Sequence, residues 1–170
     1  ASPFFGGLDS LLYDTDRVLV IVQLTGGNDG LNTVIPLDQY AALSLDTIRK
    51  NVLLPESSVL KLSGTFGKTG LHPAMNRFSE LWDDGQLSIV QGVGYPQFSF
   101  SHFRSTDIWI TGSDTKEYLN SGWTGRYLNY EYPNFPVGFP NSIMPDPPSI
   151  RIGGSVGLGL QNQGVNMGIA

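Results

Sequence analysis

The sequence contains no cysteine and only two histidines, His72 and His102, in 170 residues. A disulfide, a thiolate metal site and a cysteine nucleophile are therefore excluded. The lack of cysteine fits an exported bacterial protein as well as a cytosolic one. Positive charge is scarce too: ten Lys and Arg stand against fifteen Asp and Glu, for a net charge of -5 and a pI near 4.8. With no Lys/Arg cluster to neutralise phosphates, this balance argues against nucleic acid as the main partner. No apolar run reaches the roughly 18 to 20 residues of a membrane helix, and no basic segment followed by an apolar one opens the chain. The spacings G-x-G-x-x-G, G-x-x-x-x-G-K-[ST], C-x-x-C and H-E-x-x-H are all missing. Those nucleotide fingerprints and zinc motifs are excluded with them.

What remains is the composition of a folded globule. Hydrophobic residues make up 40% of the chain, with nine Phe, seven Tyr and three Trp. That is too apolar for a disordered chain, and the length fits one domain with a sizeable core. The most informative stretch is Val18 to Pro36, VLVIVQLTGGNDGLNTVIP. Its β-branched run ends in a glycine-rich turn, the pattern of a strand buried on both faces. Ligands in α/β proteins bind just past the carboxyl ends of such strands, which is where Asp29 falls.

The rest of the chain divides in order. Residues 1–16 read as an N-terminal arm, and 17–25 as the first strand. A helix is expected at 37–49, with Leu37, Tyr40, Ala41 and Ile48 at helical spacing. Residues 51–70 read as a loop over a core edge. A second helix, at 73–84, has Pro73 in its first turn, an apolar stripe of Met75, Phe78, Leu81 and Trp82, and Gly85 as a left-handed cap. Leu87 to Val93, LSIVQGV, reads as a second buried strand. Strand–helix–strand alternation predicts a parallel sheet with right-handed crossovers. Helices are expected from Ser101 to about Ile110 and over 122–130. Six of the eleven prolines fall in 131–148, an extended loop, and Ser149 to Ile152 reads as a third strand. Residues 153–170 carry no charge and no domain-ending pattern, which reads as a fragment of a longer protein.

Asp29 after strand one and Ser101 and His102 after strand two would share one sheet edge. A carboxylate and a hydroxyl converging there point to metal-assisted hydrolysis, with the cation lowering the hydroxyl's pKa. Ser101 at a helix N-terminus would meet the positive end of the helix dipole, which favours an alkoxide or a phosphate. Arg104, one turn on, has the planar fork that holds a tetrahedral anion. Each residue also has a structural reading. Asp29 in GGNDG suits a tight turn, Ser101 a helix N-cap, and Arg104 a solvated ion pair with Asp107 or another carboxylate. His102 also reads as a surface or packed imidazole, and His72 as a residue at the start of a helix. Asn28 and Asn32 suit turn backbone, with Asn28 also placed to touch a ligand. Trp82, Trp109 and Trp123 read as core or layer-interface residues.

The segments VLVIVQLTGGNDGLNTVIP, GLHPAMNRFSELWDDGQLSIVQGVGYP, FSFSHFRSTDIWITG and GWTGRYLNY, in this order, resemble the DUF1501 family. That family is placed in the alkaline-phosphatase-like, or sulfatase-like, superfamily. The resemblance covers most of residues 15–130. It implies an α/β fold, a three-layer α/β/α sandwich around a mainly parallel sheet, of which residues 17–170 would be the N-terminal part. It also implies a bacterial protein exported to the periplasm or beyond, and a metal-dependent hydrolase of phosphate or sulfate esters. Asp29 matches the superfamily's metal-binding Asp after the first strand. Ser101 matches its nucleophile, which is also a metal ligand, and Arg104 its anion-holding Arg. Zinc, magnesium, manganese and calcium all suit such a site, and the substrate would be a small anionic ester. The superfamily's later Asp-His pair and further His have no match, because no His follows His102. The chain alone is therefore expected to be inactive. An unfinished sheet edge would invite self-association or pairing with a C-terminal half. The alternative is a non-catalytic exported binding protein on the same scaffold, holding a glycan or a partner protein on the aromatic segment 127–140, YLNYEYPNFPVGFP. An inactive fragment of a larger protein is the third reading.

Overall fold

The computed structural model describes residues 18–24 and 27–170. The expected arm at 1–16, together with residues 17 and 25 of the first expected strand, lies outside them.

The described chain mixes helices with small antiparallel sheets. Helix α1 (Gly30–Thr33) leads straight into strand β1 (Val34–Pro36). After a 3-10 turn at Leu37–Gln39 come α2 (Leu45–Ile48), β2 (Leu60–Lys61) and β3 (Thr69–Leu71). The three strands pair in the order β1-β3-β2, with Ile35 opposite Gly70 and Leu60 opposite Leu71. Ile35 and Leu71 are fully buried here, and Leu45, Val59 and Leu62 close the cluster. The expected helix at 37–49 is thus broken into a 3-10 turn and a single turn of α2. The break falls at Ser44, which sits at φ 49°, a left-handed conformation that a continuous helix excludes.

Helix α3 (Asn76–Asp83) matches the expected second helix. It ends as its sequence dictates. Gly85 adopts φ 68°, its N–H donates to Trp82 O, and the Gln86 N–H donates to Leu81 O, so two terminal carbonyls are satisfied. The indole of Trp82 donates to Ser63 O at 3.0 Å and ties α3 to the loop after β2.

The second cluster is built on α4 (His102–Thr111) and α5 (Trp123–Glu131), both close to their expected bounds. They pack on each other and on a 3-10 turn at Leu158–Leu160, followed by the hairpin β4 (Gln161–Asn162) and β5 (Val165–Asn166). Met167 and Ile108 are its buried apolar residues. Thr111, Ser113 and Ser121 are buried polar groups, and they are satisfied locally. Thr111 Oγ1 donates to Asp107 O, Thr111 and Ser113 share a hydroxyl hydrogen bond, and Arg126 reaches Ser121 O and Thr111 O, both at 2.8 Å.

Three strand expectations are corrected. Val18 to Val22 and Leu24 lie outside any strand, 56–83% exposed, and Leu87 to Val93 is likewise irregular. A buried parallel strand exists only between neighbours that take up its N–H and C=O groups. Among the described residues neither run has such neighbours. The third expected strand, 149–152, reduces to one parallel bridge, Ile150 with Ile169. Among the described residues no helix is long and apolar enough to cross a membrane.

Candidate functional site

Asp29 stands at the residue before α1, with φ -74° and ψ 83°. Its side chain does not cap that helix. The carboxylate instead turns to Arg49, at the end of α2, with Arg49 Nη2 2.5 Å from Asp29 Oδ2. The same oxygen accepts from Asn32 Nδ2 at 2.9 Å, and Asn32 also donates to Val52 O at 2.7 Å. Beside it, Thr33 Oγ1 donates to Asn28 Oδ1 at 2.8 Å. Asn28, Asp29, Asn32 and Arg49 therefore form one polar knot that fastens the GGNDG turn to residues 49–52. Inside the knot Asn32 Oδ1 and Arg49 Nε are buried with no hydrogen-bond partner among the described residues.

The ion pair is partly wet, with side chains 23% exposed for Arg49 and 45% for Asp29. Its net contribution is accordingly modest, about 1 kcal/mol. Asp29→Ala should lower stability by that amount in urea unfolding. In Arg49→Met the same change should cost clearly less, because only the Asn32 hydrogen bond to Asp29 remains to be lost. Additive losses would mean that the two side chains do not interact.

Ser101 precedes α4 as its N-cap, at φ -76° and ψ 119°, and its Oγ accepts from the Arg104 N–H at 3.4 Å. It is exposed, as is His102 at the first helical position. Around it lies a hydroxyl chain. Tyr95 Oη and Ser105 Oγ are 2.7 Å apart, Ser105 Oγ donates to Ser99 O, and Ser99 Oγ accepts from the Ser101 N–H. The hydrogen bond with Ser105, and then that with Ser99, pull the Tyr95 phenol below its ordinary pKa.

Arg104 turns away from Ser101. Its Nη2 donates to Asp114 O, Thr115 O and Glu117 O, and its Nε to Thr115 O. The guanidinium lies 4.0 Å from the ring centroid of Tyr118. It braces the 112–118 loop with the fork that an anion clamp would present to substrate. The expected ion pair with Asp107 does not form. His72 takes the structural role expected of it, its Nδ1 accepting the Ala74 N–H at 3.1 Å.

Among the described residues no hydrogen bond or ion pair joins the Asp29 knot to the Ser101 group. The donor set does not fit a divalent cation. Asp29 is the one carboxylate in its knot, its Oδ2 is held by a guanidinium and an amide, and no group of three His, Asp or Glu among the described residues is placed to hold a metal ion. Sequence reasoning missed Arg49 and Arg126, whose partners lie in other segments of the chain and leave no local signal.

A third feature lies past the end of α5. A cavity of about 350 Å³ is lined by Glu131, Tyr132, Asn134, Phe135, Phe139 and Met144, among others. No family model matches the chain, and neither does any curated protein or solved structure.

Proposed function

We infer that this chain is the hydroxyl-bearing, N-terminal part of a DUF1501-like protein of the alkaline-phosphatase-like superfamily, exported from a bacterial cell and acting on phosphate or sulfate esters. In this reading Val18–Leu24 and Leu87–Val93, irregular in this structure, would become strands of a three-layer sandwich once further chain supplied the neighbours of a mainly parallel sheet. Their exposed β-branched side chains support that placement, because such runs are stable when covered on both faces.

The observation that carries the reading is Ser101 at the N-terminus of a ten-residue helix, exposed, with its Oγ accepting from the helix rather than donating to it. The first N–H groups of a helix lack intrahelical partners and favour negative charge. Ser101 Oγ would attack phosphorus or sulfur, giving its proton to bulk water, as the P–O or S–O bond to the alcohol oxygen breaks and that oxygen takes a proton from water. A second water would then cleave the seryl ester, releasing phosphate or sulfate and restoring the Ser101 hydroxyl. The N–H groups of His102 and Phe103 would face the developing anion. Metal dependence belongs to this reading only with ligands from outside these residues, since Asp29 alone does not make a site.

Ser101→Asn keeps a good N-cap and removes the nucleophile. In the full protein it should abolish hydrolysis of an aryl phosphate or sulfate while leaving the unfolding midpoint in place, whereas Ser101→Ala should also cost about 1 kcal/mol of stability. Unchanged turnover in Ser101→Asn would overturn the reading.

A second reading, a non-catalytic binding protein on the same scaffold, is favoured by a separate observation. Asp29 and Arg104 are engaged within the chain, while Tyr127, Tyr130, Tyr132 and Val137 stand exposed.

A further inference from the structure

The cavity beyond α5 is half open to solvent, and its lining residues are held in place locally. Phe135 is buried to 8% exposure and lies 5.2 Å from the ring of Phe139 at a 54° tilt. Asn141 donates its amide to Gly138 O and accepts the N–H groups of Ile143 and Met144 on Oδ1. The Phe135 N–H donates to Tyr132 O and the Val137 N–H to Asn134 O. At about 350 Å³ the space lies at the small end of ligand-sized pockets.

Its charge is one-sided. The lining holds one carboxylate, Glu131, and no Lys, Arg or His. Among the described residues no hydrogen bond or ion pair engages that carboxylate. Glu131 is also the last residue of α5, so the negative end of the helix dipole and carbonyls without intrahelical partners lie at the same place. Tyr127, one turn back, responds to this field. Burial raises its phenol pKa, and the charge of Glu131 raises it further. The net charge of -5 reinforces the sign.

A carboxylate, a helix C-terminus and the rings of Tyr132, Phe135 and Phe139 around a small cavity are the chemistry that holds an organic cation. Ring faces attract ammonium groups most strongly when the cation is weakly hydrated, as alkylated ammonium is. The chain already uses this contact once, where Arg104 covers Tyr118. We propose that the cavity between Glu131 and Met144 binds a small alkylated ammonium group. The proposal rests on the binding-protein reading, gives it a ligand class, and needs no ester chemistry.

The test compares choline with its uncharged isostere 3,3-dimethylbutan-1-ol and with methyl glucoside, by NMR titration of the protein. Choline should shift resonances of Tyr132, Phe135 and Phe139, with the isostere about tenfold weaker. Glu131→Gln and Tyr132→Leu should each weaken choline about tenfold, and Ser101→Asn should leave it unchanged. Equal binding of choline and its isostere overturns the proposal by showing an apolar pocket, as does the absence of choline binding. A preference for methyl glucoside overturns it too, but leaves the binding-protein reading standing. Loss of hydrolysis in Ser101→Asn bears only on the ester reading.

Discussion

Replacing Gly125 with alanine should destabilise this protein by about 2 kcal/mol or more, although the change is to a better helix former. Gly125 is buried in α5, and a Cβ there would overlap the main-chain N, C and O of Gln161. One turn earlier, a Cβ on Gly122 would overlap the main chain of Gly159. Helix and strand thus meet backbone to backbone. The contact is held by the Gly122 N–H on Gln161 O at 3.0 Å and by the Thr124 hydroxyl on Gly159 O. Overpacking costs typically 1–3 kcal/mol, occasionally more, and main-chain neighbours leave no rotamer to give way, so the cost lies at about 3 kcal/mol or above. The gain from replacing glycine inside a helix returns about 1 kcal/mol. Gly30→Ala is the control. It sits in α1 with open space around its missing Cβ, and should leave the midpoint unchanged or slightly raised. The measurement is the urea midpoint of each variant. An unchanged midpoint for Gly125→Ala would mean that α5 does not lie on residues 159–161.

Helices α3, α4 and α5 were legible in the sequence because their signals are local, whereas α1 was not anticipated and the helix expected at 37–49 breaks at Ser44. Gly85 ends α3 through its own left-handed φ and the two hydrogen bonds that follow from it. Ser101 starts α4 and Gly122 starts α5, where residue types and caps agree. The strands were not legible in the same way, because a ladder is a property of two segments. The runs Val18–Val22 and Leu87–Val93 have the composition of buried strands, yet among the described residues the strands that form are Val34–Pro36, Leu60–Lys61 and Thr69–Leu71, with the hairpin Gln161–Asn162 and Val165–Asn166. Strands β2 with β3 and β4 with β5 pair across short loops, while β1 meets β3 from much further along the chain. Short antiparallel pairings close with small loops, whereas parallel pairing needs long crossovers and covering layers.

The candidate site shows the same division. That Ser101 would cap a helix follows from its position before an apolar stripe, and its Oγ does accept the Arg104 N–H. That Asp29 would be held by Arg49 is invisible locally, since the two are twenty residues apart. The GGNDG turn advertises a carboxylate but not the guanidinium that meets it. The cavity at 131–144 lies in the aromatic, proline-rich segment singled out for binding, but its acidic sign depends on where α5 ends.

Arg104 is where the catalytic and structural readings part most sharply, and Arg104→Met should cost about 3 kcal/mol of stability. Three carbonyls, those of Asp114, Thr115 and Glu117, converge on its Nη2, and Nε also reaches Thr115 O. Hydrogen bonds to a charged group are worth about 1.5–3 kcal/mol, and several that share one nitrogen count as one strong contact rather than as a sum. The stack on Tyr118 adds about 0.5–1 kcal/mol. Lysine does not substitute for the fork, because a single ammonium cannot reach the carbonyls from both guanidinium nitrogens while covering the ring. Arg104→Lys should therefore recover less than half of the loss in a urea titration. If Arg104 instead served as an anion clamp, Arg104→Lys would leave the midpoint untouched and raise KM for an anionic ester. A full loss of stability with unchanged KM would assign the side chain to the 112–118 loop. The position of α4 relative to that loop would then be the reason that an arginine follows the capping serine by three residues.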